Sequence, residues 1–141
     1  MRAIDFNLDP GLHACTHYVT SLPLSEVLLM NDMRFPWLVL VPRRPGLVEM
    51  IDLPSELQME LWREINHVAA VLRDAVPCYK LNIGALGNVT RQLHIHVIAR
   101  TENDAAWPGP VWSFGRAEPY TESDSAARIE LLNDRFTQQA L

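Results

Sequence analysis

The stretch "RQLHIHVIAR", residues 91–100, decides how this chain is read. The sequence has five histidines among 141 residues, and two of them, His94 and His96, stand here two apart with Gln92 at the same spacing. Side chains alternate along a β-strand, so Gln92, His94 and His96 would share one face while Leu93, Ile95 and Val97 share the other. At a rise of about 3.3 Å per residue, successive members of the polar row lie about 6.6 Å apart. The apolar row is expected to pack on a core. The polar row is expected to face water or a ligand, because a buried polar group without a partner costs about 1–3 kcal/mol.

Working outward, "CYKLNIGAL" (78–86) alternates in the same way and pairs with this strand through a turn at Gly87 and Asn88. Upstream, "LPLSEVLLMND" (22–32) and "WLVLVPRR" (37–44) read as two further neighbouring strands. Between them and the histidines the period changes. Leu57, Leu61, Ile65, Val68 and Leu72 recur at three- and four-residue steps, with Glu60, Arg63, Glu64 and Arg73 at other positions. That spacing predicts an amphipathic helix, with Ser55 and Gln58 in a capping-box pattern at its start. Ile129, Leu132 and Phe136 predict a closing helix from about Asp124. The segment from 101 to 120, with "WPGPVW", is rich in Pro, Gly and Trp and reads as an ordered loop that packs aromatics. Strands grouped around one strong helix give an α+β fold with an antiparallel sheet.

Composition narrows the function classes. A net charge of −5 argues against a general nucleic-acid surface, which needs many cations to neutralise phosphates. No apolar run approaches the roughly 20 residues that span a bilayer, and "MRAIDFNLDP" lacks a signal-peptide core, so a cytoplasmic protein without membrane partners is expected. Cys15 and Cys78 lack C-x-x-C spacing and are expected to be reduced thiols. The length suits a single domain over 1–141 with a Trp/Pro-rich extension from about 101.

Three chemistries suit the polar row: satisfied surface histidines, two zinc ligands, or a nucleophilic imidazole. Neutral imidazole is abundant near pH 7, and one ring nitrogen can attack phosphorus when the other is held by an acceptor that fixes the tautomer. A catalytic zinc would want a third protein ligand, and none stands at an obvious spacing, so a metal-free site ranks first. His13 and His17, four apart, and His67 within the helix read as incidental. Arg43, Arg44, Arg91 and Arg100 each read as a solvated surface charge. Trp107 and Trp112 read as packing residues as much as ligand platforms.

At this point "QLHIHVI" resembles the signature of the histidine triad (HIT) family, His-apolar-His-apolar-His-apolar-apolar, with Gln92 at the first histidine place and His94 and His96 at the second and third. Asn31 ahead of "WLVLVPRRP", the helix near Ser55 and "LNIGALGN" follow the family's order over roughly residues 20–100. The extension after 101 is similar to that of bacterial members, in a branch related to diadenosine tetraphosphate hydrolases. The resemblance implies an antiparallel sheet of about five strands with one long central helix and a C-terminal helix, in a homodimer whose two sheets join. It also implies a cofactor-free hydrolase or transferase acting on the α-phosphate of a dinucleoside polyphosphate or nucleoside phosphoramidate. By the same resemblance His94 is the nucleophile, His96 contacts the phosphate or bridging oxygen, Asn31 binds ribose, and Asn88, with Thr90 nearby, contacts phosphate. Gln92 keeps hydrogen-bonding capacity but cannot act as an acid, so leaving-group protonation would fall to His96 or solvent. Val89 stands where many members have Ser or Thr, and Trp37 near where other branches carry a histidine. Two other readings remain: a nucleotide-binding module of this fold with little turnover, and a zinc protein using His94 and His96.

Overall fold

Residues 5–141 are described by a computed structural model. The helix α1 (Pro10–Cys15) runs straight into strand β1 (Thr16–Ser21), followed by β2 (Ser25–Met30) and β3 (Trp37–Pro42). A single 3-10 turn (Met50–Asp52) leads into α2 (Ser55–Ala75), then β4 (Lys80–Gly84), β5 (Ile95–Arg100) and α3 (Glu122–Gln138). The five strands form one sheet in the order β1-β2-β3-β5-β4, antiparallel throughout. The expected pairings of β2 with β3 and of β4 with β5 are both present.

The helical period of 55–75 does what it predicts: Leu61, Ile65, Val68 and Leu72 are buried against Val27, Leu29, Leu38, Leu40, Ile95 and Val97. Leu132 and Phe136 of α3 close the same core. Two details differ. No side chain caps the start of α2 at Ser55; Pro54 takes the cap position, and Gln58 donates instead to the Leu53 carbonyl. Glu64 is not on the solvated face but fully buried, where its Oε2 accepts from the Leu24 N–H at 2.7 Å and burial pushes its carboxyl above the usual range.

The sheet has a second buried face. Leu28, Trp37, Val39, Val41 and Ile98 are covered by Leu12 from the N-terminal side and by Ala106 and Val111 from the extension, with Phe6, Leu8 and Trp112 at the margin. Strand β5 is therefore buried along its whole length, as a central strand with both faces covered must be. The histidines lie on this second face.

The extension is fastened there by Arg100, which the sequence placed at the surface. Its side chain is 1% exposed: Nε and Nη2 donate to Asp104 at 2.7 and 3.0 Å, Nη1 to Asn82 Oδ1 and Nη2 to the Gly109 carbonyl. The guanidinium also lies over the rings of Phe35 and Trp107. A charge this deep is tolerable because each guanidinium nitrogen has a partner, one of them a carboxylate. Burial opposes the charge on Asp104, but bonds from Arg100 and from the Thr101 and Ala106 N–H groups hold its carboxyl below the usual range.

Candidate active site

Strand β5 begins at Ile95, so Gln92 and His94 belong to the connecting segment 85–94 and not to a strand face. The polar row also does not face solvent: His94 and His96 are 5% and 4% exposed. His94 Nδ1 and both ring nitrogens of His96 find partners inside the protein, which removes most of the penalty that was expected to keep the rings outside.

His94 Nδ1 lies 2.7 Å from the carbonyl oxygen of Gln92. A carbonyl only accepts, so Nδ1 carries the proton and Nε2 keeps its lone pair. One backbone oxygen thus fixes the tautomer a nucleophile needs. Gly87 closes on this ring: a Cβ there would stand 2.9 Å from His94 Cε1 and 2.7 Å from the Thr90 carbonyl, so only glycine lets the loop lie this close. Around the ring is a polar pocket of about 60 Å³ lined by Val48, Glu49, Gly87, Asn88, Arg91 and Gln92 among others.

His96 is committed at both nitrogens. Register places it between Val39 and Gly84 on the neighbouring strands. Its Nε2 lies 2.9 Å from the Leu86 carbonyl, which makes Nε2 the donor, and Nδ1 accepts from the Trp37 Nε1–H at 3.0 Å. Trp37 therefore touches the triad itself. The His94 and His96 ring centroids are 4.8 Å apart, edge to face, and the bare Gly84 leaves room for Trp112 to pack edge-on to His96.

Burial, reinforced by His94, lowers His96 to about 4, although the Leu86 carbonyl pulls the other way. Protonation at Nδ1 would also set its N–H against that of Trp37. His96 is thus a neutral group and not the acid anticipated for it. A base depressed on folding adds stability that is complete above the ordinary imidazole value of about 6.5 and is lost as pH falls through the folded value, at about 1.4 kcal/mol per pH unit between. NMR titration is expected to show the His96 ring signals flat down to about pH 5. A midpoint near the ordinary value would contradict this arrangement.

The amide of Gln92 is engaged with the N-terminal backbone and not with His94. Its Oε1 accepts from the Asp9 N–H at 2.8 Å and its Nε2 donates to the Asn7 carbonyl at 2.9 Å, clamping the N-terminal segment beside the loop. Asn88 is exposed in the same loop, and Val89 is almost wholly exposed. Thr90 is half-buried, its hydroxyl against Gly11. Asn31 is not brought to His94: its Oδ1 accepts from the Tyr120 N–H at 2.9 Å.

Its neighbour Asp32, which the sequence did not single out, is buried and takes a two-pronged bond from Arg34 at 2.9 and 2.8 Å. Beside this pair lies a slot of about 160 Å³ lined by Met30, Trp37, Val111 and Phe114. Met30 and Trp37 belong to the histidine face of the sheet, and the "DMR" spacing of Asp32 and Arg34 was the available signal for the pair. His13 lies in α1 and His17 in β1, so they do not share a helix face. Among the described residues, no three His, Cys, Asp or Glu side chains converge on a metal position. For His96 to ligate, it would have to abandon Leu86 or Trp37.

A model of the HIT domain matches residues 13–103. The chain belongs to the HIT domain family. Solved HIT proteins resemble it closely: one from Sinorhizobium meliloti 1021 is 46% identical, with a TM-score of 0.91 over 93% of this chain and 97% of that one. Another from Marinobacter aquaeolei VT8 is 41% identical, with a TM-score of 0.91 over 96% and 98%. A third, from Bradyrhizobium japonicum, is 43% identical, with a TM-score of 0.89 over 92% and 97%. No curated protein matches the sequence. The sheet and helices described above are the HIT fold, and family membership supports a function of the nucleotide-binding, hydrolase or transferase type. No helix among the described residues is long and apolar enough to cross a membrane.

Proposed function

We propose that this HIT protein is a cytoplasmic hydrolase or nucleotidyl transferase that attacks the α-phosphate of a dinucleoside polyphosphate or nucleoside phosphoramidate through a nucleotidyl-His94 intermediate. The observation that carries this reading is the tautomer of His94, with Nδ1–H on the Gln92 carbonyl so that Nε2 keeps its lone pair, in a ring that lines the pocket. A neutral imidazole approaches an anionic phosphate without charge repulsion, and the N–P bond it forms splits one displacement into two easier ones. Nε2 attacks phosphorus as the bond to the leaving group breaks; water then attacks the same phosphorus and gives up its proton to solvent, and the N–P electron pair returns to Nε2. Positive charge on the ring in the intermediate is met by the Gln92 carbonyl.

Arg91, Asn88 and the Thr90 hydroxyl supply donors for the non-bridging oxygens. His96 holds the 85–88 loop in place through Leu86 and stacks against His94. The nucleoside end goes to the slot of Met30, Trp37, Val111 and Phe114, on the same sheet face, with the Asp32–Arg34 pair at its rim. Asn31 keeps a free amide N–H₂ toward a ribose. No cofactor enters this scheme. Activity on diadenosine tetraphosphate that survives chelator tests the metal-free mechanism; loss on chelation would favour zinc at the histidines. The small size of the His94 pocket favours a second reading, a nucleotide-binding module with little turnover, for which the same assay would record binding without product.

Two copies are proposed to pair through β4. It is an edge strand with an open ladder; Ile83 within it and Tyr79 just before it are 40% and 66% exposed. Sedimentation at micromolar concentration is expected to give a dimer, and a monomer would contradict the pairing.

A further inference from the structure

Resting on the reading of His94 as the attacking group, we infer that this site lacks, among the described residues, any proton donor for a leaving group and therefore acts on substrates whose leaving group departs as a stable oxyanion, the phosphate chain of a nucleoside polyphosphate, and discriminates against phosphoramidates of aliphatic amines. Each candidate acid is accounted for by its partners. Gln92 holds the first-histidine place, and both ends of its amide are spent on the backbone of Asn7 and Asp9. An amide is no acid in any case.

His96 has one proton and one lone pair, given to Leu86 and taken from Trp37 respectively. Released from Leu86, its neutral ring would offer a hydrogen bond but not a proton. The remaining proton, on His94 Nδ1, lies on the side of the ring opposite the attacking Nε2 and is held by the Gln92 carbonyl. The other titratable side chains lining the pocket are Glu49, an exposed carboxylate, and Arg91, whose guanidinium keeps its proton.

The electron count makes the consequence chemical. His94 Nε2 supplies a pair to phosphorus, and the P–O bond breaks with its pair staying on oxygen. A polyphosphate accepts that pair, spreads the charge over its own oxygens and departs with no proton transferred. Breaking a P–N bond to an aliphatic amine in the same way would expel an amide anion. That departure needs a proton on nitrogen as the bond breaks, and only solvent is left to give it. General acids of this kind contribute about 10²–10⁴-fold, which sets the expected discrimination.

The test compares kcat/KM at pH 7 for three adenylyl compounds: diadenosine tetraphosphate, the p-nitrophenyl ester of AMP and an n-alkyl amidate of AMP, with wild-type protein and His94→Ala. The expected result is His94-dependent turnover of the first two and a rate for the amidate lower by about 10²-fold or more, rising as the pH is lowered. Amidate cleavage within about tenfold of the polyphosphate, and dependent on His94, would show a donor in the site and overturn this inference while leaving the nucleophile standing. Absence of His94-dependent turnover of every compound would overturn the nucleophile and this inference with it.

Discussion

Replacing His94 by alanine is expected to lower turnover of a nucleotidyl substrate by about 10⁴-fold or more, because it removes the group that would form the covalent bond and not merely one that assists it. The loss should fall on kcat. Nucleoside affinity should change little, since the Met30, Trp37 and Phe114 slot does not include His94. The substitution leaves the Gln92 carbonyl without its partner, a cost of about 1–3 kcal/mol that a folded domain tolerates. Activity measured well below the melting temperature, beside wild type, checks the expectation; a variant within about tenfold of wild type would mean that another group attacks.

The largest expected effect on stability lies away from the histidines. Arg100→Met keeps the bulk of the side chain but leaves Asp104 as a buried carboxylate without its cation, and strips donors from Asn82 and the Gly109 carbonyl. Breaking a buried pair from one side costs about 3–5 kcal/mol, which for a domain of this size lowers the melting temperature by about 10 °C. Asp104→Asn removes the other partner. The double variant should lose less than the sum of the two singles, because the pair is lost only once. Urea unfolding of the three variants measures this, and simple additivity would contradict the coupling. Activity should fall as well, since this cluster fastens the extension that brings Trp112 against His96.

What was legible in the sequence follows from local periodicity. Strands β2 to β5, α2 and α3 each carry a run of apolar residues at one period, and the run was enough to place the element, although β3 and β5 prove buried on both faces. Helix α1 and β1 were passed over because "PGLHACTHYVTS" has no such run: Leu12 and Val19 are its only fully buried apolar side chains, and β1 is an edge strand. The second face of the sheet was invisible for a different reason. Its cover comes from both ends of the chain, from Leu12 and from Ala106 and Val111, and no window of sequence contains both.

The same distinction separates the site residues. The resemblance of "QLHIHVI" to the triad signature was what singled out His94, but the atom that gives it a tautomer is a carbonyl oxygen, which every residue carries and no motif reveals. Arg100 read as a surface charge because its partners Asn82 and Gly109 are distant in sequence; Asp104, four residues on, was the one local hint. Gln92 read as a substitute within the triad, whereas its amide is occupied in clamping the N-terminal segment and its backbone oxygen serves His94.

The central claim is a bond between His94 Nε2 and phosphorus. Rapid mixing with diadenosine tetraphosphate, quenching under alkaline denaturing conditions that preserve a phosphoramidate, and mass spectrometry of the peptide containing residues 92–100 test it directly. The account predicts a single adenylyl adduct on His94 that is absent from the His94→Ala protein. An adduct on another residue, or multiple turnover with none detectable at any mixing time, would contradict it.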